Sequence, residues 1–370
     1  MVTAQWYEVL NAADVTTPAL LIYPDRVGEN IRRMIAIAGG VERLRPHMKT
    51  HKMAEVIRMQ MEQGITKFKC ATIAEAEMTA AAGGEDVLLA YQPVGPNVDR
   101  FLELAARFPS VRFSCTADNP ASVRDLSDAA ARCSTRLEVL VDLDIGQHRT
   151  GIAPDSQAID LYRLIAALPA LAPGGLHAYD GHIHDPEVAA RTVACEAAFA
   201  PVEVLRRKLE QEDLPVPRVV AGGTPTFPMH ARRGDVECSP GTCVFWDAGY
   251  GKNLADLDFL AAALVFTRVV SKPTPNRLCL DVGHKALASE MPHPRVIFLD
   301  LADANTVAHN EEHLVLETAA AAAFKVGDCL YGIPWHICPT VALHSEAVVV
   351  ENRKAAQRWK IVARERKLTI

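Results

Sequence analysis

The chain has 370 residues, 49% of them hydrophobic and 23% charged, with a formal net charge of −6. That size asks for more than one core. The mild acidity argues against a nucleic-acid partner, and no apolar run approaches the roughly 18 residues that would span a bilayer. Nine cysteines lie scattered without a paired framework, and the N-terminus lacks a basic stretch followed by an apolar one. Both features point to a reducing cytoplasm.

In chain order, Thr16-Thr17-Pro18 is helix-averse, and Leu20-Leu21-Ile22-Tyr23 predicts a short strand. A helix follows, with Val27, Ile31, Met34, Ile35 and Ala38 on one face until Gly39-Gly40 stops it. An alternation of apolar run and helical stretch then repeats. Strands are expected at 43–49, 65–71, 86–91, 111–116, 136–144, 175–182, 218–222 and 236–244. The spacing is that of βα units around a parallel sheet. Eight of them predict an α/β chain built on a closed (β/α)8 TIM-type barrel. An open Rossmann sheet would want G-x-G-x-x-G after its first strand, and that motif is absent.

Beyond about residue 250 the helical period fades. Apolar runs at 259–270, 276–282, 295–300, 313–316 and 341–350 predict a β-rich C-terminal domain, and Thr318 to Phe324 is Ala-rich. The expected organisation is therefore a barrel over 19–250 and a β-rich domain over 251–370. Residues 1–18 are expected to join the latter.

The chemistry starts at Arg45-Pro46-His47-Met48-Lys49-Thr50-His51-Lys52. Lys49 closes the first barrel strand, at the end that carries the active site in barrels. A lysine able to lose its proton beside a phosphate site suits a covalent link to pyridoxal phosphate. Lys52 is the local rival, expected in a first helical turn facing solvent. His47 and His51 divide between hydrogen bonding in the wall and a direct role. Gly222-Gly223-Thr224 follows the seventh strand and Gly241-Thr242 lies in the eighth, where barrels hold phosphate. Arg149 is either a surface residue or a permanently charged donor to the cofactor's ring nitrogen. Tyr179, on the next strand, is placed to stack against the cofactor or hydrogen-bond it. His336 and Cys338, two apart on an extended chain, would face the same way and suit Zn²⁺. Two protein ligands leave positions open for substrate. The alternative is a buried cysteine beside a core histidine. His309 and His313 are possible further ligands.

With these residues in view, the chain resembles the D-threonine aldolase and D-serine dehydratase family of fold-type III pyridoxal-phosphate enzymes over most of its length. The specific stretches are Arg45 to Lys52 and His336-Ile337-Cys338-Pro339-Thr340. Gly146-Gln147-His148-Arg149-Thr150-Gly151, Tyr179-Asp180-Gly181-His182, Gly222-Gly223-Thr224 and Ser239-Pro240-Gly241-Thr242 support them. The resemblance implies an alanine-racemase-like barrel, a following β domain and a homodimer. It implies that Lys49 carries the cofactor, Arg149 meets its ring nitrogen, and Gly222, Gly223, Thr224, Gly241 and Thr242 cradle its phosphate. It also implies that His336 and Cys338 bind a divalent metal. Typical bacterial D-threonine aldolases look like His-x-Asp at that place and favour Mn²⁺ or Mg²⁺. His-x-Cys looks like the zinc-dependent D-serine dehydratases, so Zn, Mn and Mg all stay open. The activity implied first is retro-aldol cleavage of a D-3-hydroxy amino acid, with Lys49 and His336 as catalytic residues. D-serine dehydration and 3-hydroxy-D-aspartate cleavage follow. A non-catalytic pyridoxal-phosphate carrier and a metal-independent racemase are the other classes. About 120 residues after the barrel, with their His-x-Cys, argue against a carrier.

Overall fold

A computed structural model describes residues 5–370; the first four residues of the expected N-terminal segment lie outside it. The early strands are β1 Ala19–Ile22, β2 Lys67–Cys70, β3 Asp86–Leu89, β4 Arg112–Ala117, β5 Leu137–Leu143, β6 Leu171–Ala178, β7 Val219–Ala221 and β8 Val236–Cys238. The later ones are β9 Ala263–Ser271, β10 Arg277–Leu280, β11 Val296–Phe298, β12 Asn305–His309, β13 Leu314–Glu317, β14 Cys329–Pro334, β15 Glu346–Glu351 and β16 Lys354–Lys360. Two compact units result. No helix among the described residues is long and apolar enough to cross a membrane.

The first unit takes Arg32–Lys49, Ala54–Gly241 and Glu365–Ile370. Its sheet runs β2 to β8 in sequence order, every neighbour parallel, with helices between successive strands. The expected strand at 43–49 is reduced to two bridges, Leu44 to Cys238 and His47 to Lys69. These join β8 on one side and β2 on the other, so the ring of eight is completed without a regular eighth strand. Pro46 is the reason that this works. The Arg45 and His47 amides donate to the Cys238 and Pro240 carbonyls at 2.9 Å. Only the carbonyl of Pro46 is asked for, by the Lys69 amide at 2.9 Å.

The barrel's lower end is closed by charge. Arg45 has no exposed surface; its guanidinium donates to Asp86 and to Glu237, each at 2.7 Å. Lys67 also reaches Glu237 at 2.7 Å, and Arg112 and Arg218 both hold Glu138 at 2.6 Å. Burial raises the carboxyls of Asp86 and Glu237, but the Arg45 guanidinium outweighs it and holds both below the usual range. The last residues return to this unit. The Glu77 carboxylate accepts from the Thr369 amide at 3.1 Å, and Arg100 binds the Ile370 carbonyl at 2.8 Å.

The second unit takes residues up to Ile31, Thr50–Met53 and Thr242–Arg364. Its sheet has the order β12-β13-β10-β9-β1-β15-β16, with β14 on β9 and β11 on β14. A barrel drawn over 19–250 therefore needs correction at both ends. β1 pairs with β9 and β15 here, and Thr242 already belongs to this unit. Ala-Leu-Leu-Ile is apolar at every position and fully buried, which is the pattern of a strand covered on both faces. Tyr7, Val9 and Val15 pack in the same core as Leu21, Leu264 and Phe266. The expected run at 341–350 is also split: Ile337–Leu343 is helical, and β15 begins only at Glu346.

Replacing Arg45 by alanine takes the buried partner from two carboxylates in the barrel floor and leaves Lys67 alone on Glu237. The expected cost is about 3–5 kcal/mol, read as a lower midpoint in urea unfolding. Because Asp86 and Glu237 titrate below their unfolded values, the pair's contribution is complete above about pH 5 and falls away as pH drops through the depressed values. The gap between wild type and Arg45→Ala should therefore shrink in acid.

Candidate active site

In the barrel unit, Lys49 lies two residues past the His47 bridge and is partly exposed. Its own amide donates to His47 Nδ1 at 3.2 Å, so His47 shapes the turn that presents the lysine. Tyr179 comes just after β6 rather than within it, and three cations gather on its ring. Lys49 Nζ lies 5.6 Å from the centroid, Lys69 Nζ 5.4 Å and Arg149 Cζ 5.1 Å. Arg149 is exposed, and Lys69 is almost completely buried. Lys52 is not in a helical turn: it has φ of 55°, ahead of the helix Ala54–Glu62.

The glycines after β7 shape a loop more than they offer donors. Gly222 has φ of +76°, and its amide goes to the Ala178 carbonyl at 3.1 Å. A Cβ there would lie 2.6 Å from the His230 ring. The Gly223 amide donates to Thr226 Oγ1 at 3.3 Å, and a Cβ on Gly223 would come within 3.1 Å of the Tyr179 ring. What glycine supplies here is open space beside that ring. The Gly241 amide donates to Thr224 Oγ1 at 3.2 Å, tying the two loops together. Gly241 and Thr242 lie beyond β8, not in it; Thr242–Val244 is a 3₁₀ turn.

Behind the loop is a buried group that the sequence reading missed. Asp180 accepts from Thr226 Oγ1 at 2.8 Å and pairs with His230 Nε2 at 2.8 Å. Cys195 Sγ lies 3.5 Å from the same nitrogen. Asp180, Cys195 and His230 are the one group of three possible metal ligands within reach of a single ion among the described residues. Their mutual hydrogen bonds already satisfy the carboxylate, and through Thr226 they brace Gly223. The sequence carries a signal for it: Asp180 lies within Tyr179-Asp180-Gly181-His182, and His230 is a lone polar residue in an apolar helix.

In the second unit, His336 and Cys338 meet by a different route from the one expected. The chain is not extended there. His336 caps the helix Ile337–Leu343, and Cys338 lies in its first turn. The two side chains hydrogen-bond each other, and Glu290 holds His336 Nδ1 at 2.6 Å. Burial opposes charge on His336, yet Cys338 and Glu290 together push its pKa up to about 9. Asp247 accepts from the Ile337 amide at 3.1 Å and fixes the turn; burial pushes its carboxyl up to about 6. Two hydroxyls flank the thiol, Thr50 Oγ1 at 3.2 Å and Thr242 Oγ1 at 3.6 Å. Thr50 is the chain neighbour of Lys49, and Thr242 that of Gly241.

The remaining histidines play other parts. His51 is fully buried, accepts from the Met53 amide at 3.1 Å, and is pushed down to about 3 by burial and by Lys52. His309 takes Arg295 at 2.9 Å, with His284 and His293 as ring neighbours. No three-ligand group among the described residues joins it to His336. His313 contributes its carbonyl to the Asn310 amide.

Two family profiles match the chain: alanine racemase, N-terminal domain, over residues 22–248, and a putative serine dehydratase domain over 262–350. A D-threonine aldolase of Arthrobacter sp. is 31% identical, with 95% of this chain and 93% of that protein aligned. A 3-hydroxy-D-aspartate aldolase of Paracoccus denitrificans is 30% identical over 96% and 94%. A D-threo-3-hydroxyaspartate dehydratase of Delftia sp. is 26% identical over 93% and 96%. The crystal structure of a D-threonine aldolase from Filomicrobium marinum superposes with a TM-score of 0.89 at 28% identity, covering 98% of each chain.

Gly222→Ala should destabilise the barrel by about 1–3 kcal/mol, because the new methyl meets a buried histidine at a positive φ. A thermal melt would show it. Gly95→Ala, also at positive φ but with open space around it, provides the comparison for backbone strain alone.

Proposed function

The chain belongs to the family whose barrel is the alanine racemase N-terminal domain and is a pyridoxal-phosphate-dependent lyase; from that premise we propose that it is a metal-assisted D-threonine aldolase. It would cleave D-3-hydroxy amino acids to glycine and an aldehyde. The observation that supports coupling of cofactor and metal is the surroundings of Cys338. Its sulfur touches the hydroxyls of Thr50 and Thr242, the chain neighbours of Lys49 and Gly241.

The residues fit the groups they would hold. Lys49 is partly exposed beside the Tyr179 ring, and Gly222 and Gly223 leave space there that a Cβ would fill. An imidazole and a thiol side by side, with a carboxylate behind the imidazole, suit a divalent ion. When bound, pyridoxal phosphate draws electron density from the substrate's Cα. The ion would lower the pKa of a β-hydroxyl or ease its departure.

The chain's own residues do the rest. Lys49 would hold the cofactor through its side-chain nitrogen, the atom placed to hold or move a proton. His47 fixes the turn that carries it. Arg149, always protonated, would donate to the cofactor's ring nitrogen and so leave it without a proton. Thr224 and Thr242 offer hydroxyls to the phosphate. Glu290 engages His336 Nδ1 and so leaves Nε2 to the ion. A homodimer in the cytoplasm completes the reading.

Retro-aldol cleavage leads because the aldolases named above align at 30–31% identity against 26% for the dehydratase. The thiol of Cys338 favours the second reading, a zinc-dependent D-serine dehydratase releasing pyruvate and ammonia. Cleavage of 3-hydroxy-D-aspartate is third.

A product assay with D-threonine and D-serine, run with Zn²⁺ or Mn²⁺ and again after chelation, separates them. Glycine and acetaldehyde, lost on chelation, are expected; pyruvate from D-serine would give the dehydratase instead. Lys49→Ala should abolish the bound cofactor's visible absorption band, checked by spectroscopy on purified protein. His336→Ala should lose metal-dependent turnover, on the order of 100-fold or more.

A further inference from the structure

The barrel holds a second lysine that the reading above leaves unused. β2 is Lys-Phe-Lys-Cys, and its last three side chains are all buried, Lys69 at 1% exposure. The backbone of Lys69 is clamped to the segment that carries Lys49. Its amide donates to Pro46, and its carbonyl accepts from Met48 at 2.8 Å. None of this requires a charged side chain at position 69. A methionine would fill similar volume without the desolvation that a buried amine costs.

The surroundings suggest why the amine is there. Lys49, Lys69 and Arg149 share the Tyr179 ring at 5.6, 5.4 and 5.1 Å. One aromatic face is worth about 0.5–2 kcal/mol to a cation, too little to hold three charges together. Arginine does not give up its proton, so the charge that can vary here is a lysine's. The groups acting on Lys69 are Lys49, Arg45, Asp142 and Asp180, with His177 sensing it in turn. Burial, then the charge of Lys49, pushes Lys69 down to about 7, against the pull of Asp180 and Asp142. His177 is pushed down as well, by burial first, with Asp142 pairing its Nδ1 at 2.6 Å.

We propose that Lys69 is a positioning residue for Lys49: the two amines lie at the same aromatic ring, 5.4 and 5.6 Å from its centroid, and Lys69 sets how easily the nitrogen of Lys49 loses its proton. The proposal rests on Lys49 being the cofactor-bonding lysine. A neighbouring cation favours the neutral form of an amine. Lys69 thus tunes Lys49 without touching the substrate.

The test is a pH titration of the visible band of the holoenzyme, in wild type, Lys69→Met, Lys69→Gln and Lys69→Arg. Removing the charge should raise the band's midpoint by about one pH unit. Arginine, charged at every pH, should leave the midpoint at or below that of wild type. Opposite behaviour of the neutral and charged replacements is something that lost packing would not produce. If the neutral variants bind cofactor with an unmoved midpoint, or if arginine and methionine shift it the same way, the proposal is overturned. Glutamine serves if methionine fails to fold. Lys49→Ala is the control. If it keeps the visible band, the assignment of Lys49 is wrong and this proposal falls with it. If it loses the band while the Lys69 variants titrate like wild type, only the proposal for Lys69 fails.

Discussion

A guanidinium with no exposed surface can persist only if carboxylates meet it, and Arg45 has two, each at 2.7 Å. One comes from β3 and the other from β8. The segment that carries Arg45 makes just two bridges to its neighbouring strands, too few to set its register alone. The ion pairs supply what the ladder lacks. Lys67, Arg112, Glu138 and Arg218 extend them around the N-terminal ends of the strands. Each acid there meets bases from more than one strand, so the belt works against any single strand sliding.

The same segment carries that constraint to the chemistry. Three residues separate the buried Arg45 from Lys49, and each has a stated task. Pro46 gives its carbonyl to Lys69, His47 takes the Lys49 amide, and Met48 is fully buried. The lysine therefore leaves a stretch fixed at every position. Thr50, next along, spends its hydroxyl on Cys338. A basic octapeptide that resembles a surface loop in composition is in fact mostly buried, with Arg45, Thr50 and His51 at 0%.

Period and turn chemistry made the barrel legible. Seven of the eight expected runs became parallel strands in sequence order, because each is an apolar run bounded by helix signals. What escaped was set by distant partners. β1 was assigned by adjacency to the barrel, but its apolar residues found cover between β9 and β15. β12, β14 and β16 carry polar or mixed residues and owe their existence to neighbouring strands. His336 and Cys338 were paired from an assumed strand, and Pro339 at the third position of the observed helix is compatible with a first turn. Lys69 is hidden in the sequence because a lysine in a short strand reads as its solvent face. In a closed parallel sheet that face is the lumen, and only closure reveals it.

Closure also raises an energetic question. Barrels of this type usually fill the centre with branched aliphatic side chains. Here the inner apolar cluster is Leu88, Leu140 and Val220. Around it are Lys69 and the His177–Asp142 pair, with the charge belt at the strand starts. Ser114 Oγ, Thr116 Oγ1 and His177 Nε2 are buried with no hydrogen-bond partner among the described residues. Left without water or a ligand, each such atom would cost about 1–3 kcal/mol. A lumen so furnished adds little to stability, which must come from helices packed on the outer faces of the strands, where Ile73, Phe101, Val123, Leu161 and Leu205 are buried. Polar groups gathered in the lumen below the strand ends where Lys49 and Tyr179 emerge are more than folding requires, which is the mark of a site rather than of a core.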